Sequence, residues 1–342
     1  WEETRASNSE YPCCTFRGSV TALRAKDGTQ VWKTYTIREK PKELEKRTGN
    51  IGTWGPSGAG VWGSPTLDAK RGLLYVTTGD NFSSPPTDMS DAVLALDLKT
   101  GRIVWSKQIT PGDIFSGACT GTTCPGPDYD FGSSALLEKL PTGRDVLLAG
   151  QKSGVVFALD PDRKGKILWQ ARVGKGGTNG GVQWGMASDG QNVYAAVSDL
   201  ARKAPPGTVI LPGLPPDPTQ GGGLTALRIS SGEKVWFSPP PPCQAKPVCS
   251  PAQPAAVTAI PGVVFSGSVD GHLRAFTAED GRVVWDFDTV RDYQTVNGIR
   301  GKGGSLDGAG PAIVGGMVFV NSGYARNGGI AGNVLLAFAP EE

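Results

Sequence analysis

The fold is decided by one short stretch, Ala95-Leu96-Asp97-Leu98-Lys99-Thr100-Gly101-Arg102-Ile103-Val104-Trp105. An alternating apolar run, a polar turn and a β-branched run that ends at a tryptophan are typical of two antiparallel strands joined by a tight turn. Gly101 stands where such a turn needs a positive φ. The stretch recurs at residues 22–32, 158–169, 226–236 and 275–285, and residues 335–338 begin another copy. Each complete copy keeps its glycine four residues before its tryptophan.

Strand repeats of this length are typical of a β-propeller. We therefore predict an all-β fold of four-stranded antiparallel blades that dock through the repeated tryptophans. Four complete blades are expected at residues 62–108, 133–172, 182–237 and 255–287, with partial blades at residues 19–35 and 310–338. The 49 glycines and 27 prolines make the chain rich in turns, and no window shows a sustained helical apolar stripe.

The extent of the chain and its charge limit what it does. Residues 1–342 are expected to form a single propeller domain, and a start at Trp1 without an initiator methionine indicates a mature product or an N-terminally truncated fragment. A net charge of +2 spread along the chain argues against a nucleic-acid partner. No apolar run approaches the roughly 18 residues that span a bilayer, so we predict no transmembrane segment.

The six cysteines fall into three local pairs, which are Cys13 with Cys14, Cys119 with Cys124, and Cys243 with Cys249. The last two pairs lie in Gly/Pro-rich loops and are predicted to form disulfides, which indicates an oxidising compartment. A zinc site is the weaker alternative, because neither a CxxC knuckle nor a histidine accompanies these cysteines. Cys13 and Cys14 are open to two interpretations, a vicinal disulfide and pairing with a cysteine upstream of this chain.

Residues 11–35 and 128–134 carry a family resemblance. They read YPCCTFRGSVTALRAKDGTQVWKTY and DYDFGSS. With the repeat and the loop cysteines, they resemble the pyrroloquinoline quinone (PQQ) dependent alcohol dehydrogenases, and within that family the polyvinyl alcohol dehydrogenase branch. The resemblance implies an eight-bladed parent propeller, PQQ and Ca²⁺ as cofactors, and a periplasmic or secreted location.

Two residues match the cofactor positions of that family. There PQQ lies flat on a tryptophan at the propeller axis, and Trp62, in Gly60-Val61-Trp62-Gly63, matches it; an indole face is a large apolar platform for a planar quinone. The family also places a cation beside the quinone oxygens, where Lys152 stands in Gln151-Lys152-Ser153-Gly154. From the residues alone, two simpler interpretations remain open: Trp62 as an ordinary core tryptophan, and Lys152 as a solvent-facing lysine of a hairpin.

The resemblance also implies metal ligands. The family has a calcium ligand at the end of a second strand, where this chain reads Thr78-Gly79-Asp80-Asn81. The usual side chain there is an amide, whereas Asp80 occupies the aligned place, so either Asp80 or Asn81 is expected to coordinate through a hard oxygen. The other expected ligand is a glutamate upstream of the first repeat, and of Glu2 and Glu3 we choose Glu3. An ordinary strand-end turn at residues 78–81 is the alternative.

The family's catalytic base is an aspartate in the loop that enters the next blade, where this chain reads Asp128-Tyr129-Asp130-Phe131-Gly132. If the aromatic residue followed by aspartate is aligned with the family motif, the base is Asp130, which is our first choice. If the loop is instead aligned by its distance from the following strand without a gap, the base is Asp128. If Asp128 is the base, Asp130 falls where lanthanide-using relatives carry an extra carboxylate. Loop aspartates that are merely solvated are the alternative.

Two further features bear on the resemblance. Relatives carry a vicinal disulfide against PQQ at a different point in the chain, so Cys13 and Cys14 are expected only as a possible cofactor contact. The sequence has no CxxCH motif and hence no haem c domain. His272 is the only histidine, which excludes a Ser-His-Asp triad and a histidine-ligated metal within this chain.

The expected function follows from the resemblance. Calcium polarises the quinone, the aspartate base removes the alcohol proton as hydride leaves the carbinol carbon, and electrons pass singly to a cytochrome c. Polyvinyl alcohol or another secondary alcohol is the expected substrate. The alternatives are a PQQ dehydrogenase for another alcohol or a sugar, and a non-catalytic propeller scaffold for outer-membrane assembly. The enzyme requires Trp62, Asp80, Asp130 and Lys152 to meet at one mouth of the central channel, and we predict that they do.

Overall fold

Four of the five complete copies form the third and fourth strands of a four-stranded antiparallel sheet, and the copy at residues 22–32 forms a two-stranded hairpin. The computed structural model describes residues 2–47, 49–117, 125–203, 214–243, 249–325 and 328–340. The third strand of blade 1, Ala92–Asp97, is buried along almost its whole length, because each sheet packs between two others. Its near-continuous apolar sequence, AVLALD, is what such a position requires.

Four sheets of the described residues have four strands and are numbered here as blades. Blade 1 consists of Thr66–Asp68, Leu73–Thr77, Ala92–Asp97 and Ile103–Gln108. Blade 2 consists of Leu136–Lys139, Asp145–Gly150, Val155–Asp160 and Lys166–Arg172. Blade 3 consists of Ala187–Ser188, Asn192–Val197, Gly223–Arg228 and Lys234–Ser238. Blade 4 consists of Thr258–Ile260, Val263–Gly267, His272–Thr277 and Val283–Asp288.

Two smaller sheets flank the blades along the chain. The N-terminal hairpin pairs Ser19–Leu23 with Gln30–Tyr35, and the C-terminal sheet orders Ala312–Val314, Met317–Ser322 and Val334–Phe338. The predicted fold, four complete and two partial blades of a β-propeller, is therefore confirmed. Among the described residues, the remaining elements are a helix, a 3-10 turn and three strand pairs. They are Glu2–Arg5, Pro161–Arg163, Lys42–Arg47 with Ile51–Gly55, Ser57–Gly58 with Asn81–Ser83, and Asp292–Gln294 with Arg300–Lys302.

The first strands of the blades are shorter than predicted. The expected starts at residues 62, 133, 182 and 255 are wrong, since the strands begin at Thr66, Leu136, Ala187 and Thr258. The residues before them bond to neighbouring blades instead of their own sheet. For example, the N–H of Val182 donates to the carbonyl of Gln151 of blade 2 at 3.1 Å, and the N–H of Val257 donates to that of Gly185, in the segment that enters blade 3, at 3.2 Å. These segments therefore form an inner layer of contacts from blade to blade.

The tryptophan of one copy docks on the turn glycine of the next copy. Trp32 Nε1 donates to the carbonyl of Leu98 at 3.1 Å, and a β-carbon built on Gly101 would lie 2.5 Å from the Trp32 ring. The same contacts recur at two later seams, formed by Trp169 with Ile229 and Gly232, and by Trp236 with Ala278 and Gly281. Of the five docking tryptophans, Trp105 and Trp236 are buried, and Trp32, Trp169 and Trp285 are half-buried.

The seam between blades 1 and 2 departs from this pattern. Its copy at residues 158–169 is one residue longer than the stretch at 95–105, and the extra length forms the 3-10 turn Pro161–Arg163. Trp105 still packs on Gly165, but its Nε1 has no hydrogen-bond partner among the described residues. In the seams with an indole hydrogen bond, the acceptor carbonyl stands three residues after the alanine that begins the copy. In the copy at residues 158–169 that position is Pro161, which lies inside the 3-10 turn.

Arg71 joins the same two blades by ion pairs. Its guanidinium, which is 12% exposed, donates at 2.8 Å to Asp68 of blade 1 and to Asp145 and Asp162 on the side of blade 2. The contact to Asp162 is bidentate, through Nε and Nη2. Such planar, charge-assisted pairing is the strong form of a salt bridge. Blades 1 and 2 are thus held by charge where three other seams use the indole hydrogen bond.

The disulfide predictions have three outcomes. Cys243 and Cys249 are joined, with Cα atoms 5.9 Å apart, as predicted. Cys13 and Cys14 form a vicinal disulfide, which decides between the two interpretations left open above. Cys119 and Cys124 lie outside the described residues.

Replacing Gly232 by alanine tests the docking contact. A β-carbon there meets the Trp169 ring at 2.5 Å, so the variant should lose roughly 1–3 kcal/mol by overpacking, in addition to the roughly 1–2 kcal/mol for an alanine at positive φ. The matched control is Gly262→Ala, at φ +81° with nothing within 4 Å of the added carbon, which should lose only the backbone contribution. Thermal and urea unfolding measure both, and equal losses would refute the docking role of Gly232.

Candidate functional site

The predicted site residues lie at one end of the blades. Trp62 precedes the first strand of blade 1 and Asp80 follows its second strand. Asp128 and Asp130 stand in the loop that enters blade 2, and Lys152 lies in the turn between the second and third strands of that blade. All five line one cavity of about 320 Å³, which is within the range of small-molecule sites.

Backbone hydrogen bonds explain why this loop reaches the end of blade 1. The N–H of Phe131 donates to the carbonyl of Thr78 at 3.2 Å, and the N–H of Asp80 donates to Asp130 Oδ1 at 2.7 Å. The N–H of Lys152 donates to the carbonyl of Asp130 at 3.0 Å. The site is therefore built across the seam between blades 1 and 2, and its residues, though far apart in sequence, are neighbours in space.

Three buried carboxylates lie close together, and one lysine bonds to two of them. Asp80, Asp128 and Asp130 each offer an oxygen within 4.8 Å of the others. Lys152 Nζ donates to Asp128 Oδ1 at 2.5 Å and to Asp130 Oδ2 at 2.8 Å. The cluster thus carries more negative than positive groups in a place where water is scarce.

The pKa values separate the three aspartates. Burial, and next the charge of Asp130, raise the pKa of Asp80 well above its usual range. Burial likewise raises the pKa of Asp128, although Lys152 acts in the opposite direction. Burial also opposes ionisation of Asp130, but the charge and hydrogen bond of Lys152 and the N–H of Asp80 outweigh it, so the pKa of Asp130 is lowered. The two aspartates raise the pKa of Lys152 in turn, and it stays charged.

The donor set fits a hard metal cation. Asp80 Oδ2 is buried and has no hydrogen-bond partner among the described residues, which is costly unless a cation or a proton satisfies it. Carboxylate oxygens are the ligands that Ca²⁺ and similar ions prefer. Glu3 lines the same cavity, and its charge acts on Asp80 and Asp128. Asp80, Asp128, Asp130 and Glu3 could therefore hold such an ion.

Of the two N-terminal glutamates, Glu2 is engaged elsewhere. Its carboxylate accepts hydrogen bonds from the N–H groups of Thr15 and Phe16, at 2.8 and 2.5 Å. Glu2 therefore ties the short helix Glu2–Arg5 to the chain that follows it. This leaves Glu3, our sequence choice, as the glutamate that faces the cavity.

Trp62 is held as a platform in the cavity wall. Trp184 packs on it in a T-shaped contact, at a ring-centre distance of 5.1 Å and an interplanar angle of 87°. A β-carbon built on Gly132 would lie 2.3 Å from Trp62 Cη2, so only glycine fits behind the ring. Lys152 Nζ lies 6.0 Å from the ring centre. A planar ligand on Trp62 would therefore have the ammonium of Lys152 close by.

Asn81 does not line the cavity, and its side chain is engaged elsewhere, so its role as a metal ligand stays a prediction. Its Nδ2 donates to the carbonyl of Ser57 at 3.0 Å, and its Oδ1 accepts from the N–H of Thr87 at 2.8 Å. Asn81 begins the strand Asn81–Ser83, where successive side chains point to opposite sides. Asp80 is thus the oxygen donor at this strand end.

Cys13 and Cys14 do not line the cavity either, and their contact with the cofactor likewise stays a prediction. Both are buried in a small cluster with Ala6, against which Phe82 packs, and Phe82 itself lines the cavity. Backbone hydrogen bonds between Cys13, Cys14 and Trp54 fix this segment to the strand Ile51–Gly55. The disulfide therefore supports the cavity wall from behind.

Sequence reasoning missed several residues at the site. Trp184 touches Trp62, and Thr178 and Asn179 line the cavity mouth. Asp91 is fully buried at φ +46°, with both carboxylate oxygens unpartnered among the described residues. Trp184 carried a signal, since it is a tryptophan outside the repeated docking position, as Trp62 is. The others had no signal in the sequence, because only the folded loops bring them to the site.

Comparison with protein families identifies the chain. The model of the PQQ glucose/ethanol/alcohol dehydrogenase β-propeller domain matches residues 4–182, which contain Trp62, Asp80, Asp128, Asp130 and Lys152. The chain belongs to this family. A second model, outer membrane protein assembly factor BamB, matches the repeats at residues 152–306 and 220–340.

Individual relatives agree with this family. A polyvinylalcohol dehydrogenase of Pseudomonas sp is 43% identical and one of Sphingopyxis sp. (strain 113P3) is 38% identical, each over 98% of this chain and 53% of the relative. The chain therefore spans about half the length of these curated relatives. The quinohemoprotein alcohol dehydrogenase structure from Comamonas testosteroni has a TM-score of 0.59 and 21% identity, and covers 98% of this chain and 58% of its own. It shows the same fold. In the described part of this PQQ-family chain, no helix has both the length and the apolar character to cross a membrane.

Asp80→Asn tests the fit to a cation. The raised pKa means that protonated Asp80 stabilises the cation-free fold below the ordinary aspartate pKa of about 4, and that this stability is lost as pH rises through the raised value. The variant should therefore stabilise the cation-free protein at pH 7 by about 1 kcal/mol or more, and should abolish the stabilisation by added Ca²⁺.

Melting temperatures at several pH values, with Ca²⁺ and with chelator, measure both effects. Asp88→Asn, which neutralises an exposed aspartate on the same connection, is the control and should change neither. An Asp80→Asn protein that is still stabilised by Ca²⁺ to the wild-type extent would remove Asp80 from the ligand set.

Proposed function

We propose that the protein containing this chain oxidises a secondary alcohol, with PQQ on Trp62 and a hard cation held by the acidic cluster. One observation carries the proposal: a single cavity combines an indole platform, a lysine and three buried carboxylates. A propeller used only as a scaffold has no need for buried charge that is not balanced. When bound, PQQ supplies a quinone that accepts a hydride equivalent.

Asp80, Asp130 and Glu3 are proposed as the cation ligands. Asp80 contributes its unpartnered Oδ2, and Asp130 is adjacent, with its ionised form favoured by Lys152. Glu3 closes the cavity from the N-terminal segment. Three carboxylates suit Ca²⁺ and suit a trivalent lanthanide even better in charge. Titration of the cation-free protein with Ca²⁺ and with La³⁺ distinguishes the two ions.

Asp128 is proposed as the base that takes the alcohol proton, in place of Asp130, our first choice from sequence. Both oxygens of Asp130 accept hydrogen bonds, one from Asp80 N–H and one from Lys152, and its pKa is lowered, which makes it a poor proton acceptor. Asp128 accepts from Lys152 through Oδ1, and burial raises its pKa. Lys152 orients Asp128 and would also stabilise negative charge next to Trp62.

The substrate, acceptor and compartment are proposed from the relatives. Both polyvinylalcohol dehydrogenases that match the chain carry their substrate in their names, so polyvinyl alcohol is the first substrate to test. A cytochrome c is proposed as the one-electron acceptor, in keeping with the family resemblance. The Cys13–Cys14 and Cys243–Cys249 disulfides support an oxidising compartment, and we propose the periplasm or the cell exterior.

Two other functions remain as outcomes of the same experiment. A PQQ dehydrogenase for another alcohol or a sugar would bind PQQ and the cation but would not oxidise polyvinyl alcohol. An assembly scaffold, which the BamB family match at residues 152–306 and 220–340 raises, would bind neither PQQ nor the cation. Titration of the intact protein with PQQ and Ca²⁺, followed by dye-linked assays on a panel of alcohols, separates the three.

Asp128→Asn and Asp130→Asn should affect different steps. Removal of the base should lower kcat by roughly 10²–10⁴-fold and leave the Kd for PQQ nearly unchanged. Asp130→Asn should instead weaken cation binding, so that activity returns when the cation concentration is raised. Asp88→Asn is again the exposed control. If Asp130→Asn abolished turnover at saturating cation while Asp128→Asn kept it, the base would be Asp130.

A further inference from the structure

Trp184 supports Trp62 from outside the cavity. It stands in the segment that enters blade 3 and does not belong to the cavity lining, yet its ring packs on Trp62 in a T-shaped contact, with ring centres 5.1 Å apart and an interplanar angle of 87°. Edge-to-face aromatic pairs contribute about 0.5–1.5 kcal/mol beyond the area that they bury. The contact has this value only while Trp184 keeps its orientation, so whatever fixes Trp184 also fixes Trp62.

Asp307 fixes the orientation of Trp184. Trp184 Nε1 donates to Asp307 Oδ1 at 2.6 Å, across a sequence separation of 123 residues. Asp307 is 3% exposed and lies in the segment that enters the C-terminal sheet. A hydrogen bond of this length between two groups that are shielded from water is stronger than the same bond at the surface. The indole cannot rotate without losing it.

The three residues form one line of contact between distant parts of the chain. Trp62 precedes the first strand of blade 1, Trp184 that of blade 3 and Asp307 that of the C-terminal sheet. Trp62 is also limited by Gly132, where a β-carbon would lie 2.3 Å from Cη2. Trp62 thus has two supports, Gly132 and Trp184, and the second of these depends on Asp307.

We propose that Trp184 and Asp307 are positioning residues, which hold the Trp62 ring in the orientation that a planar quinone needs. The inference rests on the proposed function, since it takes Trp62 as the cofactor platform. Neither residue is a catalytic residue: Trp184 acts through Trp62, and Asp307 acts through Trp184. Preorganisation of this kind strengthens binding, because the ligand does not have to order the ring itself.

The test compares Trp184→Phe, Asp307→Leu and Asp307→Asn in the intact protein. Phenylalanine keeps a ring edge but has no N–H, and leucine has no acceptor, so each should raise the Kd for PQQ about tenfold at saturating Ca²⁺. Asparagine retains an acceptor oxygen and should restore the Kd to within about threefold of wild type. Quenching of tryptophan fluorescence measures the Kd, and melting of the cofactor-free protein measures stability.

Two outcomes would overturn the proposal. One is a Kd for PQQ that stays at the wild-type value in both Trp184→Phe and Asp307→Leu, whether or not they melt earlier. The other is an Asp307→Asn protein that binds PQQ as poorly as Asp307→Leu, because a lost charge and not a lost hydrogen bond would then explain the effect. The double variant Trp184→Phe/Asp307→Leu should be no worse than either single one, since both remove the same contact.

A spectroscopic arm separates this proposal from the proposed function. The near-ultraviolet circular dichroism of the cofactor-free protein should lose the Trp62–Trp184 contribution in Trp184→Phe and in Asp307→Leu, and keep it in Asp307→Asn. If the wild-type protein binds no PQQ, the proposed function fails whatever these spectra show. If wild type binds PQQ but the spectra of all three variants equal that of wild type, the positioning role fails alone.

Discussion

The structure depends on the contact between the tryptophan of one repeat and the turn glycine of the next. The contact has two parts, a hydrogen bond from the indole to a carbonyl and the packing of the ring on a residue without a side chain. The glycine serves its own turn by its positive φ and serves the neighbouring blade by leaving room for the ring. One pair of residues therefore specifies both the hairpin within a blade and the seam between blades, and the cores between the sheets follow from that register.

Much of the fold could be predicted because this pair is visible in the sequence at a fixed spacing. The first strands were predicted too long, since the residues before Leu136, Ala187 and Thr258 bond to neighbouring blades, and such contacts leave no period in the sequence. The site was predictable to the level of segments, through family resemblance. Within segments, the sequence does not show the direction of each side chain. Asp80 lines the cavity while Asn81 bonds to Ser57, and Phe82, which packs against Cys13 and Cys14, lines the cavity where they do not. Trp184 and Asp307 meet only in the folded chain.

The site concentrates carboxylates that would be unfavourable in most protein interiors. Four buried aspartates, Asp80, Asp91, Asp128 and Asp130, interact electrostatically, and Lys152 is the cation placed among them. Burial raises the pKa of three of them, and the lysine lowers that of the fourth. Buried charge of one sign is retained where an ion, a proton or a reacting group is to be bound. The propeller supplies the rigid frame that keeps these groups together despite their repulsion.

The seam between blades 1 and 2 has a consequence for the conditions in which the protein works. It is the seam across which the site is built, and Trp105 there has no hydrogen-bond partner among the described residues, while Arg71 bridges Asp68, Asp145 and Asp162. Asp162 is 64% exposed, so dissolved ions can reach part of this bridge, and mobile ions weaken exposed pairs far more than they weaken indole hydrogen bonds inside a core. The ionic strength of the surroundings thus acts most directly on the boundary that aligns Asp80 with Asp128 and Lys152, and a saline medium would loosen this boundary before the other seams.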